Sequence, residues 1–217
     1  MIKRILSKIL RKSDAGSRLL TARSLAHSGY LKDRGWIDSV IRAMPIDGTG
    51  QPIPWYTYGS IDFLVGRVKA DMAVFEYGSG NSTLWWSRRT RRVVSCEHDK
   101  AWYDVMRDRL PANVEYKLVQ LGDDGEYSSA IADRSEQFDV IVIDGRDRVN
   151  CAKRSLSALK PDGVIVWDNS DRSEYDAGYE FLIENRFKRL DFWGMGPINT
   201  YGWCTSVFYR PLNCLDI

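Results

Sequence analysis

The sequence has little of what several function classes require. Its four cysteines, Cys96, Cys151, Cys204 and Cys214, are scattered, with no C-x-x-C pair and no Cys/His cluster. That argues against a zinc site or a disulfide framework and fits reduced thiols in a cytoplasmic protein. No apolar run approaches the ~20 residues of a membrane span. Charge of one sign is missing too: 31 Lys and Arg against 29 Asp and Glu leave a net +2, so nothing global draws the chain to nucleic acid. With 44% hydrophobic and 28% charged residues, the composition of the 217-residue chain is that of an ordinary globular protein and not of a disordered one. Aromatics, by contrast, are plentiful. Eight tryptophans and eleven tyrosines suggest aromatic-lined surfaces or pockets as well as core.

The most informative stretch runs from Met72 to Asp99. Val74 and Phe75 read as a short buried strand, and Gly78-Ser79-Gly80 forces a sharp turn straight after it. Asn81, Ser82 and Thr83 can cap the next helix, Val93, Val94 and Cys96 form a second strand, and Glu97 stands at its end. In an open α/β sheet, ligands collect at the carboxyl ends of the strands, which is where Gly78, Gly80 and Glu97 would lie. A dinucleotide fingerprint, G-x-G-x-x-G, needs a third glycine where this chain has Thr83. Glu76, two residues before Gly78, is an awkward neighbour for a pyrophosphate but suits a ligand bearing an ammonium group. S-adenosylmethionine meets that demand, with a cationic amino group and sulfonium and a ribose whose two hydroxyls one carboxylate can accept.

The pattern E-x-G-x-G followed by an acid ending the next strand resembles the class I S-adenosylmethionine-dependent methyltransferase family. The resemblance implies an α/β fold with a doubly wound, seven-stranded, mostly parallel sheet, an antiparallel last strand and an N-terminal helical extension. Residues 1–59 would form the extension and linker, and 60–217 the cofactor-binding domain. Carried over by position, Glu76, Gly78, Ser79 and Gly80 would surround the methionine part of the cofactor, beside Asn81 and Ser82. Glu97 would take the ribose, His98 would lie near the adenine, and Asp123, after the third strand, would meet the adenine amino group.

Elsewhere, residues 1–12 place Ile2, Ile5, Leu6, Ile9 and Leu10 at helical spacing among five basic residues. That is a basic amphipathic helix, suited to an anionic membrane surface or a partner, or else to packing on its own domain or a homodimer mate. Arg18 to Met44 reads as helix in two pieces broken near Gly29, followed by a linker rich in proline and glycine, Pro45 to Pro54. The aromatic run Trp55-Tyr56-Thr57-Tyr58 would wall the substrate pocket or simply join the core. Arg88, Arg89, Arg91 and Arg92 read as a solvated helix end at the far edge of the sheet. Helices are expected over 127–135 and 150–159, and a turn at Lys160-Pro161-Asp162-Gly163.

Phe138 to Ile143 is the clearest buried strand, and Asp144 at its end should face the transferred methyl, with Arg146 just beyond. Asp144 together with Asp168-Asn169 after the fifth strand resembles the metal site of cation-dependent O-methyltransferases, which implies Mg²⁺ or another divalent cation held by Asp144, Asp168 and Asn169; the competing reading has Asp144 as base or substrate orienter without metal and Asp168-Asn169 as a polar turn. Arg146 and Arg148 replace the lysine that this family keeps after the strand-four acid. Arginine can hold a substrate anion but hardly act as a base. The expected function is methylation of a small-molecule hydroxyl, on a sugar, lipid headgroup or natural-product intermediate. The alternatives are an NAD(P)-dependent oxidoreductase and a binding protein that retains the fold without turnover.

Overall fold

The computed structural model describes residues 13–122 and 125–217. The basic 1–12 segment and Asp123 therefore lie outside the described residues.

A seven-stranded sheet with order β3-β2-β1-β4-β5-β7-β6 forms the centre. Its strands are β1 (Ala73–Tyr77), β2 (Arg92–Glu97), β3 (Val114–Leu118), β4 (Phe138–Ile143), β5 (Leu159–Asp168), β6 (Lys188–Gly194) and β7 (Trp203–Tyr209). The first five run parallel, while β7 pairs antiparallel with both β5 and β6. Strand order reverses between β1 and β4, which sets their carboxyl ends side by side. The central strands are apolar at almost every position because both faces of the sheet are covered. Alternate residues serve different cores: Phe75, Tyr77, Ile141, Ile143, Ile165 and Trp167 pack on one side, and Val74, Val140, Val142, Val164 and Val166 on the other. That alternation is the two-residue period of a pleated strand.

Helices cover both faces. Before the sheet come α1 (Asp14–His27), α2 (Tyr30–Asp33), α3 (Trp36–Arg42) and α4 (Tyr58–Val65). Ser13 caps α1 by accepting a hydrogen bond from the Gly16 N–H at 3.1 Å. The break near Gly29 is present, and a second follows at Gly35, where φ is +71° and a Cβ would meet the Asp47 carbonyl at 2.4 Å. Within the sheet lie α5 (Asn81–Ser87), α6 (Lys100–Arg107), α7 (Arg148–Ser155) and α8 (Asp176–Glu184). Tyr56 and Tyr58 are buried in the valine-lined core, so of the aromatic run only Trp55 is largely exposed.

Three local expectations are corrected. Residues 127–135 form only a short 3₁₀ turn, Ser128–Ile131, where the Ser128 and Ser129 hydroxyls donate to the Gly125 carbonyl and compete with helix hydrogen bonding. The helix expected at 150–159 starts and ends earlier, as α7. Lys160 to Gly163 lies inside β5 beside a register shift in β4. Lys160 reaches Asp139 at 2.7 Å, and the Asp162 carbonyl accepts from the Cys214 N–H at 2.7 Å, so tertiary pairing overrides the turn signal. The arginine run lies at the amino end of β2, with Arg88 donating to Gln51 and Arg92 paired with Glu115.

Candidate active site

The site begins with two glycine turns pressed together. Gly78, after β1, has φ +90° and donates its N–H to the Cys96 carbonyl at 3.0 Å. A Cβ there would lie 2.8 Å from Gly145 Cα, and a Cβ on Gly145 would run into the Tyr127 hydroxyl. Glycine is required at both positions, because an L side chain disfavours the first backbone conformation and neither site has room.

Glu76 projects from β1 into full burial. Its Oε2 accepts from the Thr83 and Ser95 hydroxyls, whereas its buried Oε1 has no partner within hydrogen-bond geometry among the described residues. Burial raises its pKa to about 7, against the opposing pull of the Ser82, Thr83 and Ser95 hydroxyls. Thr83, which the sequence offered only as a missing glycine and a cap, also accepts from the Gly80 N–H at 3.0 Å and so links the turn to the acid. An orphaned, buried carboxylate oxygen is costly unless a donor or cation completes it.

Glu97 is held differently. Its Oε2 accepts from the Ser79 N–H at 3.1 Å and the Ser79 hydroxyl at 2.9 Å; its Oε1 accepts from the N–H groups of His98 at 2.8 Å and Asp99 at 3.0 Å. The four acceptor positions of a carboxylate are thus engaged by the turn and by its own strand end. Ser79 Oγ also lies 2.6 Å from Tyr116 Oη, and Tyr116 stacks on Tyr103 at 4.4 Å. Trp102 donates to the Ser79 carbonyl at 2.9 Å, while His98 lies edge-on to Tyr127 at 5.9 Å. These aromatics around the β2 and β3 tips were not singled out from sequence. Asn81, expected beside the cofactor, gives its side-chain amide to the Pro45 carbonyl at 2.6 Å, so the linker crosses over this turn.

At the β4 and β5 tips, oxygens of two of the expected metal ligands are engaged by the protein's own side chains. Asp168 is buried, and its Oδ1 accepts from Trp203 Nε1 at 2.9 Å and Thr205 Oγ1 at 2.6 Å. The Arg148 guanidinium, itself buried, contacts the Asp168 carbonyl and Asp144 Oδ1, the latter at 3.2 Å. Among the described residues, no group of three or more His, Cys, Asp and Glu converges as a cation site. Burial, then the Asp168 charge, raise the Asp144 pKa well above its ordinary value, with Arg148 opposing them. Asn169 lies in the turn beyond β5, with φ +51°, and Arg146 is exposed. Sequence reasoning treated Arg148 as an arginine for the substrate; it points inward instead.

No family model matches the sequence, and no curated protein matches it. Solved structures do. Precorrin-6y C5,15-methyltransferase from Geobacter metallireducens GS-15 aligns with TM-score 0.56 at 15% identity, over 70% of this chain and 86% of that one. The tRNA (m1A58) methyltransferase TrmI from Aquifex aeolicus aligns with TM-score 0.52 at 12% identity, over 72% and 70%. SMU.1697c from Streptococcus mutans, crystallised in complex with SAH, aligns with TM-score 0.51 at 14% identity, over 68% and 94%. The chain therefore has the Rossmann-like fold of the class I S-adenosylmethionine-dependent methyltransferases.

Proposed function

We propose that the protein is an S-adenosylmethionine-dependent methyltransferase whose acceptor is a small-molecule hydroxyl. The observation that carries this reading is the orphaned Oε1 of Glu76, buried beside the first glycine turn, where a cationic amino group would complete it. The fold supports the reading, since ligands of open α/β sheets lie at the strand tips where order reverses. Under it, Gly78, Ser79 and Gly80 let the backbone approach the methionine part, with Asn81 and Ser82 at the start of α5. Glu97 takes a ribose hydroxyl in place of the Ser79 hydroxyl, and His98, Tyr116 and Trp102 flank the nucleoside. When bound, the cofactor supplies an electrophilic methyl on a sulfonium.

The chain's own chemistry centres on Asp144. A carboxylate whose pKa is raised by burial is a better proton acceptor for a hydroxyl than an exposed one, so Asp144 serves as base. Arg146, exposed in the same turn, is placed to hold an anionic part of the acceptor. No step is assigned to a metal ion, because Arg148 already engages Asp144 Oδ1 and the Asp168 carbonyl while Trp203 and Thr205 engage Asp168 Oδ1. Calorimetric titration with S-adenosylhomocysteine and with NAD tests the cofactor. Binding of the first alone is expected, whereas binding of NAD alone would replace this reading by the oxidoreductase.

A further inference from the structure

We infer that the Arg148 guanidinium is the resident cation of this site, standing between the β4 and β5 tips in place of a divalent ion and making the protein indifferent to such ions. The inference deepens the methyltransferase reading, on which it rests for what the site is used for.

The geometry follows from the chain. Asp147 adopts a left-handed conformation, φ +49°, immediately before α7, which turns the first helical side chain back over the strand tips. Arg148 Nε donates to the Gly145 carbonyl at 2.9 Å, and Nη2 to the Asp144 carbonyl at 3.0 Å and Asp144 Oδ1 at 3.2 Å. Nη1 donates to the Asp168 carbonyl. The Tyr175 ring lies over the guanidinium at 5.4 Å, in the segment that follows β5. All three guanidinium nitrogens are therefore spent on the two strand ends that a metal would join. A planar fork with fixed donors suits this task better than a flexible ammonium.

The same contacts set a fixed positive charge against any second cation. Mg²⁺ binds oxygen at about 2.0–2.1 Å in near-octahedral geometry, and it would share Asp144 Oδ1 with a permanently charged group. Trp203 and Thr205 hold Asp168 Oδ1 toward β7, so an incoming ion would have to use the second oxygens of Asp168 and Asp144 beside the fixed guanidinium charge. A fixed positive charge is thus built into the polypeptide: one buried guanidinium faces the buried Asp168 and the half-buried Asp144. The positive charge cannot be removed by a chelator and does not dissociate.

The test uses the full-length protein, Mn²⁺ as the probe and three forms of one position: wild type, Arg148→Ala and Arg148→Lys. Wild type should bind no Mn²⁺ by electron paramagnetic resonance and should unfold at the same temperature in EDTA and in millimolar MnCl₂. Arg148→Ala, which strands the buried Asp168 and the half-buried Asp144, should unfold on the order of 10 °C lower. It should also gain Mn²⁺ binding that raises its Tm, a response that a merely structural arginine would not leave behind. Arg148→Lys should fall between the two and bind no Mn²⁺. Saturable Mn²⁺ binding to wild type would overturn the inference, as would an Arg148→Ala protein that matches wild type in Tm and ignores Mn²⁺. Should Arg148→Ala fail to fold, the wild-type and Arg148→Lys arms still decide. S-adenosylhomocysteine titration of wild type runs alongside: its failure would remove the methyltransferase reading and leave the cation result standing.

Discussion

Titrating the protein with S-adenosylhomocysteine at about pH 6 and again at about pH 7.5 spans the ionisation of the buried Glu76 carboxyl, whose pKa burial raises to about 7, and Glu76→Gln separates its share from that of Asp168, which burial raises to about 6. Only the ionised form of Glu76 can receive an ammonium group. About one-eleventh of the free protein is in that form at the lower pH and about three-quarters at the higher, so affinity should rise about eightfold, or ~1.3 kcal/mol. Calorimetry in buffers of different ionisation enthalpy should report close to one proton released per ligand at the lower pH and about a quarter at the higher. Stability of the free protein should move the other way. A carboxyl whose folded pKa lies above its unfolded value keeps its proton longer in the native state, so ionisation costs stability as pH climbs from about 4.5 to about 7, by ~3 kcal/mol, and nothing further beyond. Glu76→Gln should flatten both profiles and weaken binding. An affinity that is constant or falls over this interval, with no proton released, would refute the assignment of Glu76 to the ligand's amino group.

Other perturbations separate the remaining roles. Gly78→Ala sets a Cβ 2.8 Å from Gly145 Cα at φ +90°, and should lower stability by about 1–3 kcal/mol in chemical denaturation while reducing ligand affinity. Glu97→Gln should weaken S-adenosylhomocysteine binding by about 1.5–3 kcal/mol in the same calorimetric assay, the value of hydrogen bonds to a charged group; an unchanged Kd would free Glu97 from the ribose. With an acceptor in hand, Asp144→Asn should abolish turnover yet leave S-adenosylhomocysteine affinity intact, and a normal rate would take Asp144 off the catalytic list.

Much of the architecture could be read in advance because the strongest signals were local. Phe138 to Ile143 is an apolar run broken only by Asp139, Gly78-Ser79-Gly80 ends another, and such strands have one sensible place in an α/β sheet. The antiparallel last strand came from the family resemblance, and it is β7, paired with β5 and β6. What stayed hidden depended on long-range contacts. Nothing local distinguishes an arginine that faces solvent from one drawn inward by three carbonyl oxygens, so Arg148 was read as substrate-facing. The engagement of Asp168 by Trp203 and Thr205 joins residues more than thirty positions apart. Likewise, Thr83 and Ser95 reveal their hold on Glu76 only once β2 is aligned beside β1.

The way Thr57 is fastened bears on how this protein should be handled at the bench. Its N–H donates to Thr205 Oγ1 at 3.0 Å and its hydroxyl to the Phe192 carbonyl at 3.0 Å, while the Tyr58 N–H donates to the Met195 carbonyl at 2.8 Å. The Trp36 indole adds a bond to the Asn199 carbonyl at 2.9 Å. An expression fragment begun at residue 60 would strip the final hairpin of these clamps and bare the valine-lined side of the sheet to water. Aggregation of such a fragment would report a cut through the core, and protein meant for soaking or screening is best left whole at that end.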